Sequence, residues 1–134
     1  MGIYLDRARA LRESTEYHYN CAQAVLIPFA ERVGLTLEQA NAVAQAFGGG
    51  MQTGSTCGAV TGGLMALGVL GLADHRTVVS FIRQMRENHD GTIACADLLR
   101  KNAAAGGQKK PHCDAMVYEA VALVEELLQG KPDQ

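Results

Sequence analysis

Four cysteines carry most of the chemistry this chain can offer: Cys21, Cys57, Cys95 and Cys113. Each stands where the local pattern starts a helix. Cys21 follows the capping-type residue Asn20, and Cys57 follows Gly54-Ser55-Thr56 and opens an apolar stretch. Cys95 lies three residues after Thr92, and Cys113 two after Pro111. The first turn of a helix presents unpaired amide hydrogens and partial positive charge, which favour a thiolate over a thiol. Thiolates attack disulfides and bind soft metals.

The spacings are wide and contain no Cys-x-x-Cys, which sets aside a thioredoxin-like site and the common zinc knuckles. Two uses of four converging thiols remain. In the first, the chain is a thiol oxidoreductase that makes and breaks disulfides. Cys57 is then expected to be the most reactive thiolate, at a helix start with a Gly-rich approach. Cys21 is its expected partner, and Cys95 and Cys113 form a second pair or resolve the first. Four cysteines allow three pairings, and sequence does not choose among them. In the second use, Cys21, Cys57, Cys95 and Cys113 ligate an iron-sulfur cluster or zinc in an electron-transfer or sensor protein. His112, adjoining Cys113, is a further candidate ligand there. Neither cofactor follows with certainty. A third reading is a helical interaction module whose thiols are small buried hydrophobes.

The segment from Gly48 to Gly58 is Gly-rich and runs into the Cys57 helix. Bare backbone at Gly49, Gly50 and Gly58 can pass close to a sulfur centre and donate hydrogen bonds that tune it. The plain alternative is a helix terminator with close helix packing. The loop lacks the Lys-Ser/Thr ending of a P-loop and follows a helix, so nucleotide binding is not expected. His18 and His112 stand near cysteines, where a protonated imidazole would favour a thiolate. His75 and His89 read as surface residues. Asp97 and Asp114 follow cysteines closely, and their charge opposes thiolate formation.

Helical patterning runs through nearly the whole chain, with no strand-like alternation and no repeat. Apolar positions 3, 4, 5, 8 and 11 make the first amphipathic helix. A second is expected from Asn20 to about Val33, kinked at Pro28. The capping box Thr36-Leu37-Glu38-Gln39 opens a third, running to about Phe47. A helix from Cys57 to about Leu72 is apolar on every side and should be buried centrally. Asp74 caps the next, Thr92 a short one, and Pro111 opens the last, which ends near Gly130. Residues 103–110 read as a flexible connector and 130–134 as a frayed tail. The expected fold is all-α: an irregular bundle of about six helices around a buried, Gly-rich apolar helix.

Asn20-Cys21-Ala22-Gln23, Phe47-Gly48-Gly49-Gly50, Cys57-Gly58-Ala59-Val60-Thr61-Gly62, Cys95-Ala96-Asp97 and Cys113 together resemble the C_GCAxxG_C_C family of redox-active proteins. The resemblance covers roughly Tyr4 to Leu128, and every family cysteine has a counterpart. It implies redox chemistry without naming a substrate or redox partner. A Cys-x-x-Cys-His haem attachment motif is absent, so haem is not implied.

Composition bounds the rest. At 134 residues and 48% apolar, the chain suits one globular domain, residues 1–134. A net charge of −2, with scattered basic residues, gives no case for nucleic acid. Lys109-Lys110 is too small a cluster to be a patch. No apolar run approaches the roughly 20 residues that span a membrane, and the N-terminus lacks a signal-peptide pattern. A cytoplasmic protein is expected, a compartment where cysteines serve metal or redox chemistry more often than static disulfides. The Gly-rich apolar helices could also pack across a homodimer interface.

Overall fold

A computed structural model describes residues 2–130. Seven α-helices are present among them, and no β-strand. They are α1 (Ile3–Glu13), α2 (Cys21–Arg32), α3 (Leu37–Ala44), α4 (Gly58–Val69), α5 (His75–Glu87), α6 (Cys95–Ala104) and α7 (Lys109–Gln129). Of the expected tail at 130–134, residues 131–134 lie outside the described residues.

The helix starts follow from local hydrogen bonding. The Asn20 side chain accepts from the Gln23 amide at 2.8 Å, and the Gln23 side chain accepts from the Asn20 amide at 2.8 Å. Thr36 and Gln39 close the same reciprocal box on α3, and Asp74 caps α5 through the Thr77 amide. Each such cap satisfies amides that the first turn leaves without partners. Asn20 and Gln23 also reach across the fold. The Asn20 amide group donates to the Gln45 carbonyl at 3.2 Å, and that of Gln23 to the Asn41 carbonyl at 3.1 Å. The start of α2 is thereby tied to the end of α3.

α4 is buried along most of its length, and α2 shares the centre with it, buried at every position from Ala22 to Ala30. α2 stays helical through Pro28. Its contact with α4 is close because α4 has no side chain at the crossing. A Cβ on Gly62 would stand 2.7 Å from the Ala22 carbonyl oxygen and 2.8 Å from its Cα. α1, α5 and α7 close the core around this pair through Leu11, Phe81, Met85, Val117 and Val121.

Three boundaries differ from the sequence expectation. α3 gives way after Ala44 to a tighter 3₁₀ turn over Gln45–Phe47. α6 begins at Cys95 rather than just after Thr92, because Thr56 and Ala94 form a lone antiparallel bridge that holds Ala94 extended just before the helix. α7 begins at Lys109, and the connector after α6 shrinks to residues 105–108. Pro111 sits third in α7, where its missing N–H has no intrahelical acceptor to lose. Cys113 therefore falls in the second turn, outside the strongest part of the helix-start field.

Candidate functional site

All four cysteines line one cavity of about 600 Å³ between α2, α6, α7 and the loop before α4. Different devices bring them there. Cys21 opens α2 behind the Asn20 cap, and Cys113 comes from α7. Cys57 and Cys95 are set by the bridge: the Cys57 amide donates to the Ile93 carbonyl at 2.7 Å, and the Cys95 amide to the Ser55 carbonyl at 2.6 Å. The two bonds flank the Thr56–Ala94 bridge and hold Cys57 and Cys95 on either side of it, both lining the cavity.

The glycines make room for this approach. Gly49 and Gly58 are on the cavity wall. A Cβ on Gly58 would meet the Phe47 carbonyl oxygen at 3.0 Å and the Cys21 Cβ at 3.2 Å. Gly50 is buried beneath Cys95: at φ +65°, its Cβ would stand 2.6 Å from the Ser55 carbonyl oxygen and 2.7 Å from the Cys95 Cβ. Their role here is steric clearance around the sulfurs.

The four thiols differ in environment. Cys21 and Cys113 share a hydrogen bond that stabilises a thiolate on Cys113 and a proton on Cys21. With help from the Arg12 and Lys109 charges, and against burial, it holds the Cys113 thiol down to about 6. Cys21 moves upward through the same bond and through burial. The pair titrates as a unit, with the first proton leaving from Cys113. Cys57 is only 6% exposed. Burial pushes it up to about 11, outweighing the Ala59 and Val60 amides at its helix start. This runs against the expectation that Cys57 forms its thiolate most readily, because a helix start helps an anion only where it is not also desolvated. Cys95 also moves upward, by burial.

Arg12 holds the centre of this electrostatic arrangement. Its side chain is 4% exposed and donates from Nε to Asp114 at 2.7 Å and from Nη1 to the Tyr19 carbonyl at 2.8 Å. Lys110 pairs with the other Asp114 oxygen at 2.9 Å. Despite the burial that opposes it, these partners hold the Asp114 carboxyl below the usual range. Asp114 is thus neutralised, and its opposition to the neighbouring thiolate is weak. Sequence reasoning missed Arg12 and Lys109. Arg12 was findable: it lies four residues after Ala8, on the buried stripe of α1, where a cation requires partners.

His112 and His18 line the cavity. Burial, and the neighbouring His89, lower the His112 pKa, so His112 favours the neutral ring over the cation that would assist a thiolate. His75 is exposed, whereas His89 is partly buried and contacts Glu119 at 2.8 Å. Asp97 pairs with Arg100 at the surface. Among the described residues, no three or more His, Cys, Asp or Glu side chains converge closely enough to hold a single metal ion.

An all-helical domain with four cysteines on one cavity defines a class of small cysteine-centred protein. A family model described as "putative redox-active protein (C_GCAxxG_C_C)" matches residues 19–127. The chain belongs to this family. No curated protein and no solved structure matches it. None of the described helices is long and apolar enough to cross a membrane.

Proposed function

We propose that the protein is a thiol oxidoreductase whose working couple is Cys21 and Cys113. The observation that carries this reading is that Cys21 and Cys113 line one cavity together with the buried Arg12, whose charge favours a thiolate on Cys113. Cys113 is the attacking thiolate and Cys21 the resolving thiol. Cys57 and Cys95, held on either side of the Thr56–Ala94 bridge, form the second pair. This exchanges the roles that the sequence suggested for Cys57 and Cys113. Equilibrating the protein in graded thiol–disulfide buffers and mapping peptides without reduction tests it. A two-electron couple with a Cys21–Cys113 link is expected, and a different first link, or none, overturns the assignment.

A second reading keeps the four cysteines as ligands of an iron-sulfur cluster. The side chains as they stand do not suit zinc, which takes all four ligands on one ion. A cluster spreads its ligands over several irons, and a shared cavity lined by four thiols favours it over zinc. Anaerobic purification separates the readings: a brown, iron-loaded protein supports the cluster, and a colourless protein with a titratable dithiol supports the couple.

A further inference from the structure

The cysteine cavity has a charge pattern unlike the rest of the protein. The chain carries a net charge of −2. Yet no Asp or Glu is among the described residues that line the cavity, whereas Arg12, Lys109 and Lys110 all do. Asp114 stands behind the wall and pairs with both Arg12 and Lys110. Three cations against one carboxylate leave two positive charges, and an ionised Cys113 leaves one. Lys109 has no ion-pair partner among the described residues, and its charge acts on both Cys95 and Cys113. The remaining wall includes Leu98, Leu99 and Met116. The volume, about 600 Å³, is that of a small-molecule site.

We propose that the substrate taken up here is a small organic disulfide bearing carboxylates, its anionic ends drawn to Lys109 and Lys110 and its sulfur–sulfur bond presented to Cys113. This rests on the reading of Cys21 and Cys113 as a dithiol couple. The steps balance without another reactant. The Cys113 thiolate attacks one sulfur of the disulfide; the sulfur–sulfur bond breaks, and the released thiolate takes a proton from solvent. The mixed disulfide on Cys113 is then attacked by Cys21, whose proton passes to the second leaving thiolate. A Cys21–Cys113 disulfide forms, two electrons pass to the substrate, and two small thiols leave.

Three disulfides of similar length but different charge test this: dithiodipropionate (two carboxylates), hydroxyethyl disulfide (neutral) and cystamine (two ammonium groups). Each rate with the reduced protein is divided by its rate with a short, uncharged cysteine peptide, which removes intrinsic reactivity. At low salt the anion should react about tenfold faster than the cation, with the neutral compound between, as one net positive charge about 10 Å away would produce. The ratio should shrink as salt is added, and Lys109→Gln should bring it close to one. Equal normalised rates for the three, or cystamine fastest, overturn the carboxylate preference while leaving the couple standing. Failure of all three to yield a Cys21–Cys113 link overturns the couple itself.

Discussion

Replacing Cys21 by Ala removes the strongest support of the Cys113 thiolate, the hydrogen bond between the two sulfurs. A hydrogen bond to a charged group contributes about 1.5–3 kcal/mol, which corresponds to about one to two pH units of midpoint at 1.36 kcal/mol per unit. Cys113 is only partly buried, so solvent screens some of this, and the lower end, about one unit, is the expected rise. The sign follows because the bond stabilises the thiolate: without it, Cys113 ionises at higher pH. The assay is alkylation of the reduced protein by iodoacetamide across pH, with each cysteine quantified by peptide mass analysis. In the wild-type protein Cys113 should be labelled with a midpoint well below the free-thiol value of about 8.5. Cys57 should resist until much higher pH, in line with its value near 11. Cys21→Ser keeps a donor and should restore most of the wild-type midpoint. An unchanged Cys113 midpoint in Cys21→Ala, or labelling of Cys57 before Cys113, would refute the reasoning.

Arg12→Met should raise the Cys113 midpoint as well, and cost about 2–3 kcal/mol in a urea titration. It leaves the Tyr19 carbonyl without its donor, although Lys110 still holds Asp114. A loss under about 0.5 kcal/mol would show that Arg12 is not structurally engaged. Gly62→Ala should destabilise by about 1–3 kcal/mol, because its Cβ meets Ala22 backbone that cannot swing aside. Gly68→Ala, with nothing within 4 Å of the added Cβ, should instead stabilise by up to about 1 kcal/mol. Equal thermal shifts for these two would contradict the close α2–α4 crossing. Asn20→Ala removes both the α2 cap and the link to the Gln45 carbonyl, and should lower stability by about 1–2 kcal/mol in denaturant melts.

The helices were legible because their signals are local. Asn20 with Gln23, Thr36 with Gln39, and Asp74 with Thr77 cap in the structure as their spacing implies. The start of α6 was not legible, since it is set by the pairing of Thr56 with Ala94, thirty-eight positions apart. That all four cysteines belong to one neighbourhood was suggested by family resemblance and helix-start placement together. Which of them interact was hidden for a different reason. A thiol's acidity is a balance of burial against neighbouring charge. Sequence supplied the helix starts but neither the depth of Cys57 nor the presence of Arg12 beside Cys21 and Cys113. Lys109 and Lys110, unremarkable as a dipeptide, gain meaning only because the cavity wall opposite them lacks acids.

The loop that carries Cys57 shows what assembling such a neighbourhood costs. Gly49, Gly50, Met51 and Gln52 are all left-handed, with φ between 57° and 65°. For Met51 and Gln52 this conformation is unfavourable by about 1–2 kcal/mol each. The turn is held by specific bonds: the Ser55 amide to the Gly50 carbonyl at 2.8 Å, the Thr53 hydroxyl to the same carbonyl at 3.3 Å, and the Cys95 amide to Ser55. Relaxing Met51 and Gln52 to right-handed geometry would reverse the turn and withdraw Gly50 from beneath Cys95. The strained residues and the bonds that hold them thus serve the same end. They bring the segment before Cys57 against Ile93 and Ala94, so that two thiols from distant parts of the chain line one cavity.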